Sequence, residues 1–225
     1  GVIDRIDICQ DEERVYVKVL DYKSSGKEID VTQVDAGLQL QLLIYTNVVL
    51  EVLKKQFPDK EIVPAGSLYY SFRLPKVEKS GRSVTDALTR RIHRETALTG
   101  IVNREEPCIS LLGDAELLPV KVKELDGVPV IQESDTVVDA EQYRQLLTEV
   151  RETAAVIGTE MIRGRIPVRP VRTGRSLPCD YCDYKDVCKL DCTDGGNRIY
   201  TAGQLRQMQK GEGRNEVDRG TAEDH

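Results

Sequence analysis

The sequence lacks several features that would place it in common functional classes. No apolar run reaches the roughly 20 residues that a membrane-spanning helix needs, and residues 1–20 lack the basic-then-apolar plan of a signal peptide. No Gly-x-x-x-x-Gly-Lys-Ser/Thr loop occurs, so the chain has no recognisable phosphate-binding loop for ATP. His93 is the only internal histidine, which argues against histidine-based catalysis. These absences predict a protein that is neither secreted nor membrane-embedded, with any ATP-driven step assigned elsewhere.

An excess of positive charge is also missing. The 225 residues include 32 Lys and Arg against 38 Asp and Glu, a formal net charge of −6. Overall charge therefore argues against nonspecific coating of nucleic acid, although it is compatible with a local basic patch. With 40% apolar and 31% charged residues, the chain can bury one sizeable core. Because a strand pattern follows Gly1 at once, we expect a piece of a longer chain.

The first candidate element is a hairpin formed by residues 2–9 and 14–23, with a polar tip at residues 10–13. A loop centred between Glu12 and Glu13 places opposite each other those residues whose numbers add up to 25, including Asp4 and Asp21. One face of the hairpin is then apolar and ends in two carboxylates and the ammonium group of Lys23.

Two carboxylates opposed in this way repel each other unless a cation lies between them. Asp4, Asp21 and the backbone carbonyl of Tyr22 are the ligand types that Mg²⁺ or Mn²⁺ prefers, and Lys23 could orient an attacking water or stabilise charge on phosphorus. The pattern indicates metal-assisted phosphodiester hydrolysis. The alternative is a pair of strand-end carboxylates with Lys23 as their salt-bridge partner. Asp7 lies on the opposite face, where an ion pair with a neighbour such as Arg5 is favoured.

A buried helix is predicted over residues 36–57, ending before Pro58. Gln41 and Tyr45 share one face of it, so they are either site residues or satisfied polar groups of the core. The remaining predictions are a strand at 61–73, a helix at 84–97, a hairpin at 118–132 with an Asp-Gly turn, and a helix capped by Asp139 that runs to about Met161. The polar residues from 195 onward are predicted to form a flexible tail.

Cysteines and arginines cluster near the end of the chain. Four of the six cysteines lie within fourteen residues: Cys179, Cys182, Cys188 and Cys192. This clustering favours a metal or iron–sulfur site in a reducing cytoplasm over a disulfide framework, and spacing alone favours zinc; four unliganded thiols are the alternative. Cys9 and Cys108 are interpreted as structural thiols. Five arginines precede the cluster. They form a segment that tracks a DNA backbone, or an extended solvated arm, or a surface that faces an acidic partner subunit: Arg163, Arg165, Arg169, Arg172 and Arg175.

Three segments in this order resemble the RecB-like branch of the PD-(D/E)XK nucleases: residues 1–7 (GVIDRID), 21–26 (DYKSSG) and 37–45 (GLQLQLLIY). Later segments resemble the carboxyl-terminal nuclease domain of AddB-type subunits of helicase–deoxyribonucleases: residues 64–70, 98–102, 164–167 and 179–188. The resemblance covers residues 1–192 and implies an α/β fold, a mixed sheet flanked by helices with a cysteine-cluster segment at its end. We expect a nuclease core at 1–165, an Arg- and Cys-rich segment at 166–194 and a tail at 195–225.

The resemblance also implies roles for individual residues. It assigns metal binding to Asp4 and Asp21, a catalytic role to Lys23, and a Gln-x-x-x-Tyr motif to Gln41 and Tyr45. For the cysteines it favours a [4Fe–4S] cluster in the full-length protein, with Zn²⁺ as the alternative. The implied cluster ligands are Cys179, Cys182 and Cys188, with Cys192 as a substitute. The family's upstream helix motif and upstream cysteine fall outside this chain.

The implied activity is that of a Mg²⁺-dependent exodeoxyribonuclease that acts on single strands during double-strand-break repair. The implied partners are DNA and an AddA-type helicase–nuclease subunit in a heterodimer. Two alternatives stay open: a non-catalytic scaffold that guides DNA or docks a subunit, and a stand-alone RecB-like exonuclease. Intact Asp4, Asp21 and Lys23 favour a nuclease over a scaffold, and the cysteine-rich end favours the AddB type over the stand-alone enzyme.

Overall fold

The computed structural model describes residues 1–24, 26–71, 98–112, 117–125, 128–165, 168–173, 177–188 and 200–201. The helix predicted at 84–97, the Asp-Gly turn at 126–127, Arg175, Cys192 and nearly all of the predicted tail lie outside these ranges. Within them, no helix is long and apolar enough to cross a bilayer.

The described residues form strands and helices that are interspersed along the chain. The strands are β1 (Arg5–Gln10), β2 (Arg14–Lys23), β3 (Glu61–Ser71), β4 (Thr99–Asn103), β5 (Val122–Leu125), β6 (Val128–Ile131), β7 (Val137–Val138), β8 (Val171–Arg172) and β9 (Tyr200–Thr201). The helices are α1 (Val31–Asp35), α2 (Gln41–Gln56), α3 (Glu106–Leu112), α4 (Ala140–Ile162) and α5 (Lys185–Cys188), with a 3₁₀ turn at Pro178–Tyr181.

Five strands form the central sheet, in the order β1-β2-β3-β4-β7. The pairs β1–β2 and β3–β4 are antiparallel, whereas β2–β3 and β4–β7 are parallel, so the sheet is mixed. Helices pack against it, which confirms the predicted α/β class. The second predicted hairpin forms from β5 and β6, which pair antiparallel outside this sheet.

The first hairpin has the predicted register. Ile6 pairs with Val19 and Ile8 with Val17, as expected for a loop centred between residues 12 and 13. The apolar face is buried only on β2, because β1 is the edge strand and α2 contacts β2 and β3. Ile6 and Ile8 remain 40% and 49% exposed, so the apolar face of the hairpin is not buried on β1.

The helix predicted from residue 36 begins five residues later, at Gln41. Gly37 and Gln39 have φ angles of 79° and 53°, which a right-handed helix cannot contain, so the segment before α2 is a turn that follows the short helix α1. The end of α2 at Gln56, before Pro58, matches the prediction. The start of α4 does too, because Asp139 Oδ1 accepts from the backbone N–H of Gln142 at 2.8 Å.

A buried hydroxyl network attaches α2 and α4 to the sheet. Ser67 of β3 lies 2.6 Å from Thr46 Oγ1 of α2, and Tyr143 of α4 donates to Ser67 Oγ at 2.6 Å. The other face of the sheet carries an apolar cluster that includes residues of α3: Tyr16, Val63, Ala65, Leu68, Val102, Cys108, Ile109, Leu112 and Leu118. Ser67 therefore marks the face that α2 and α4 cover.

The chain divides into two compact units. One comprises Gly1–Val31 and Gln39–Arg151 and contains the central sheet. The other comprises Thr32–Leu38 and Glu152–His225, where Ala36 and Val171 form a small apolar contact and β8 pairs with β9 in parallel.

Candidate active site

Asp21 lies near the end of β2, on the sheet face that α2 and α4 cover. In the parallel β2–β3 pair, Val19 is in register with Ser67 and Asp21 with Tyr69, so these side chains share that face. Asp21 is only 4% exposed. Lys23 Nζ lies 2.5 Å from Asp21 Oδ2, yet this buried oxygen makes no hydrogen bond of good geometry to any described residue. A buried carboxylate with one ammonium beside it is therefore the centre of the candidate site.

Asp4 precedes β1 by one residue and continues its register, which places it opposite Asp21 on the same face. Its Oδ2 accepts a hydrogen bond from the backbone N–H of Tyr22 at 2.8 Å. This bond fixes the Asp4 carboxylate against the residue that follows Asp21. The two carboxylates differ in environment, because Asp4 is exposed and Asp21 is buried.

Tyr69 lies beside Asp21 and beneath two lysines. The ammonium of Lys23 is 5.7 Å from the centre of its ring, and that of Lys27 is 5.0 Å from it. Tyr69 is 2% exposed, and its hydroxyl has no hydrogen-bond partner among the residues that the structure describes. Burial, with a smaller effect of the Asp21 charge, raises the pKa of Tyr69 to about 12.

Lys27 is a site residue that the sequence reasoning missed. Burial and the charge of Lys23 lower its pKa, and the charge of Asp21 opposes this shift. The available signal was the spacing of two lysines around the Ser-Ser-Gly segment at residues 24–26. Tyr69 left no local signal, because it reaches the site through the pairing of β3 with β2.

Gln41 and Tyr45 lie in the first turns of α2 and contact each other. Gln41 Nε2 donates to Tyr45 Oη at 3.0 Å, and the Tyr45 hydroxyl lies against Gly1, at the start of the segment that leads to Asp4. Gln41 is exposed, so the expectation of a pair buried inside a helix was wrong for this residue. Its side-chain hydrogen bond within the described residues is to Tyr45.

Asp7 has its own cations on the opposite face of the hairpin. Its Oδ1 accepts from Arg5 Nε at 2.7 Å, and its Oδ2 lies 3.0 Å from Nζ of Lys18, its cross-strand neighbour. Burial alone would raise the pKa of Asp7, but the hydrogen bonds from Arg5 and Lys18 outweigh it, and the pKa lies below its usual value. The ion pair that the sequence favoured for Asp7 is therefore present.

Comparison with known proteins identifies the family. The sequence pattern of the PD-(D/E)XK nuclease superfamily matches residues 1–189. The chain belongs to the PD-(D/E)XK nuclease superfamily.

Relatives of this PD-(D/E)XK domain are named as one subunit of an ATP-dependent helicase/deoxyribonuclease. The protein from Alkaliphilus oremlandii is 29% identical over 211 residues, which cover 92% of this chain and 18% of the relative. That from Thermoanaerobacter sp. (strain X514) is 33% identical over 204 residues, 88% of this chain and 17% of the relative. The protein from Lachnoclostridium phytofermentans is 30% identical over 248 residues, which cover 99% of this chain and 21% of the relative. The chain thus spans about a fifth of the length of these curated relatives.

The residues of the PD-(D/E)XK site fit a divalent cation. Asp21 Oδ2 is buried, has the ammonium of Lys23 on one side and makes no hydrogen bond to the described residues, so it can also act as a ligand to an ion. Within the described ranges, no three His, Cys, Asp or Glu side chains are grouped to hold a metal. An ion here would therefore depend on two carboxylates, backbone oxygen and water, which is how Mg²⁺ is commonly bound.

The cysteine and arginine segment lies in the second unit of the PD-(D/E)XK chain. Cys179 is half-buried in the 3₁₀ turn, Cys182 and Cys188 are exposed, and none of the three forms a disulfide with a described residue. Arg165 forms an ion pair with Glu160 at 3.0 Å. Glu160 precedes the run of arginines in the sequence, and the run itself gave no sign of this acidic partner. Arg172 is exposed in β8.

Proposed function

We propose that this chain is a Mg²⁺-dependent DNA nuclease domain, with Mn²⁺ as a substitute, that cuts single strands. A bound divalent cation would lower the pKa of a ligand water and neutralise charge on the phosphate. The observation that carries the proposal is Asp21, a carboxylate that is 4% exposed and paired with Lys23, and that lies opposite Asp4 when the β1–β2 register is continued by one residue. The membership of the chain in a nuclease superfamily supports it.

Each residue of the site has a proposed part in phosphodiester hydrolysis. Asp4, Asp21 and the Tyr22 carbonyl would hold the cation, and the Tyr22 N–H keeps the Asp4 carboxylate in place. Lys23, held by Asp21 and by the Tyr69 ring, would orient the attacking water and stabilise the charge that develops on phosphorus. Gln41 and Tyr45 would position the DNA strand at the start of α2.

The decisive variants are Asp21→Ala and its matched control Asp7→Asn, both on the first hairpin but on opposite faces of it. In the full-length protein, we expect Asp21→Ala to lower strand cleavage by this subunit at least about 100-fold while unwinding by a helicase partner continues. Asp7→Asn should leave cleavage within about twofold of the wild type. Cleavage of single-stranded oligonucleotides with Mg²⁺, and unwinding with ATP, are measured in parallel. Unchanged cleavage in Asp21→Ala would favour a non-catalytic DNA-guiding scaffold.

The biological setting proposed for this domain is double-strand-break repair by recombination in the cytoplasm, in a heterodimer with an AddA-type helicase–nuclease subunit. The relatives support it through their printed name, which combines helicase and deoxyribonuclease. We further propose that the arginines of the second unit, Arg163, Arg165, Arg169, Arg172 and Arg175, bind the DNA backbone. The proposed ligands of a [4Fe–4S] cluster in the full-length protein are Cys179, Cys182 and Cys188, with Cys192 as substitute and Zn²⁺ as the alternative metal.

A further inference from the structure

The Tyr69 ring brings two ammonium groups to the same place, but only one of them has an anionic partner among the described residues. Lys23 is paired with Asp21 at 2.5 Å. Lys27 lies 5.0 Å from the ring centre, and within the described residues no carboxylate forms an ion pair with it. Lys27 is therefore a second ammonium group at the ring, outside the Lys23–Asp21 ion pair.

The backbone of Lys27 is fixed at this level of the sheet. Thr99 Oγ1 of β4 donates to the Lys27 carbonyl at 2.5 Å, and Thr99 is the cross-strand neighbour of Tyr69. Ile29, two residues further on, is buried. The backbone at Lys27 and the side chain at Ile29 are thus both anchored, and the half-buried Lys27 side chain lies over the Tyr69 ring.

A half-buried cation without a counter-ion is costly in free energy, and a neighbouring cation adds to that cost. Both effects act on Lys27, since burial and the charge of Lys23 lower its pKa. An aromatic ring attracts a cation without neutralising it, so the charge remains available to a bound anion. The anion that a DNA nuclease brings to this place is a backbone phosphate.

We propose that Lys27 is a DNA-binding residue that contacts a backbone phosphate of the bound strand, and that the Tyr69 ring positions it. This inference rests on the proposed nuclease function. It separates the two lysines by role: Lys23 acts on the reacting phosphate together with Asp21, whereas Lys27 holds the strand. Contact with phosphate is independent of base sequence, so Lys27 should affect all sequences equally.

The test compares Lys27→Gln with Lys55→Gln in the full-length protein. Lys55 is an exposed lysine in the last turn of α2, about 20 Å along that helix from Gln41, and its replacement removes the same charge. Binding of a fluorescent single-stranded oligonucleotide is measured by anisotropy in an Asp21→Asn background, so that cleavage does not interfere. Measurements at several salt concentrations give the number of phosphate contacts.

We expect Lys27→Gln to weaken binding about tenfold and to reduce the slope of log K against log salt by about 0.7. In the cleaving protein, KM should rise about tenfold while kcat stays within about twofold. Lys27→Arg should retain most of the affinity, and Lys55→Gln should leave both the affinity and the salt slope unchanged. Unaltered affinity and slope in Lys27→Gln, or a loss confined to kcat, would overturn the inference.

Variants of Tyr69 test the positioning role. Tyr69→Phe keeps the ring and should bind as the wild type does, whereas Tyr69→Leu should show the weaker binding and smaller slope of Lys27→Gln. If Tyr69→Leu does not fold, the Lys27 variants still test whether Lys27 contacts the DNA backbone. The binding assay needs no cleavage, so a wild type that binds but never cuts would overturn the proposed function without overturning the role of Lys27.

Discussion

Two buried tyrosines on the same side of the sheet differ in one respect, the partner of the hydroxyl group. Tyr143 is fully buried and donates to Ser67, whereas the hydroxyl of Tyr69 has no hydrogen-bond partner in the described part of the chain. A buried hydroxyl without a partner costs free energy, and a paired one contributes about 1 kcal/mol. The ring of Tyr69, on which the two lysines lie, is the part of the residue that the site uses.

We therefore predict opposite effects of the same substitution. Tyr69→Phe should leave the free energy of unfolding unchanged or raise it by about 1 kcal/mol, because it removes only a buried polar atom that is not hydrogen-bonded to any described residue. Tyr143→Phe should lower it by about 1 kcal/mol, because Ser67 loses a donor. Urea denaturation followed by circular dichroism measures both. If Tyr69→Phe lowers the free energy of unfolding more than Tyr143→Phe does, the hydrogen bonding described for these two hydroxyl groups is contradicted.

At the scale of elements, the distance between β3 and β4 depends on a glycine. Gly100 has a φ of 139°, which L side chains rarely adopt, and a Cβ atom there would overlap the backbone oxygen of Ser67. Ser67 in turn carries the hydroxyl that joins α2 and α4 to the sheet. Close contact at Gly100 thus supports the strand that positions Tyr69 and the two helices above it.

Gly100→Ala should lower the free energy of unfolding by at least about 2 kcal/mol, since the backbone must shift away from β3. The matched control is Gly158→Ala in α4, where a Cβ atom meets nothing within 4 Å. There the change should raise stability by about 0.5–1 kcal/mol, because alanine has the higher helix propensity. Thermal unfolding of both variants distinguishes them. A tolerated Gly100→Ala would mean that β3 and β4 can separate without loss.

At the scale of the whole molecule, the cysteine segment is the part for which we propose a metal or an iron–sulfur cluster. Three of its cysteines are described, none of them forms a disulfide with a described residue, and two are exposed. No three potential ligands are grouped in the described part of the chain. A [4Fe–4S] cluster uses four cysteine thiolates and a structural zinc site four Cys or His ligands, so in the proposed site Cys192 or a ligand from outside this chain would supply the fourth.

We expect the 225-residue chain alone to be purified with less than one complete [4Fe–4S] cluster, because Cys179, Cys182 and Cys188 provide three ligands. Iron and zinc are quantified per chain, with the visible absorbance of the iron–sulfur chromophore as a check on the cluster. Cys9→Ser, which replaces an exposed cysteine far from the segment in sequence, is the control and should change nothing. One tightly held zinc per chain that is lost on Cys192→Ser would refute the incomplete-cluster account.

Local sequence determined much of this protein. The hairpin register follows from a short polar loop between two alternating strands, and it alone places Asp4 opposite Asp21. The start of α4 follows from Asp139 as its cap, and the end of α2 from the proline after it. Each of these features depends on residues a few positions apart, whose interactions a single sequence displays directly.

Only the tertiary structure decided what lies around those carboxylates. The sequence pattern alone did not indicate that Tyr69, 48 residues after Asp21, is its neighbour, because the parallel pairing of β2 with β3 is a long-range choice. The pairing of β3 with β4 in turn places Thr99 beside Tyr69, and Thr99 donates a hydrogen bond to the Lys27 carbonyl. Exposure of Ile6 and Ile8 likewise depends on the absence of a strand beyond β1 in the sheet described here. Alternation of side chains fixes which face a residue occupies, but only packing from distant elements determines whether that face is covered.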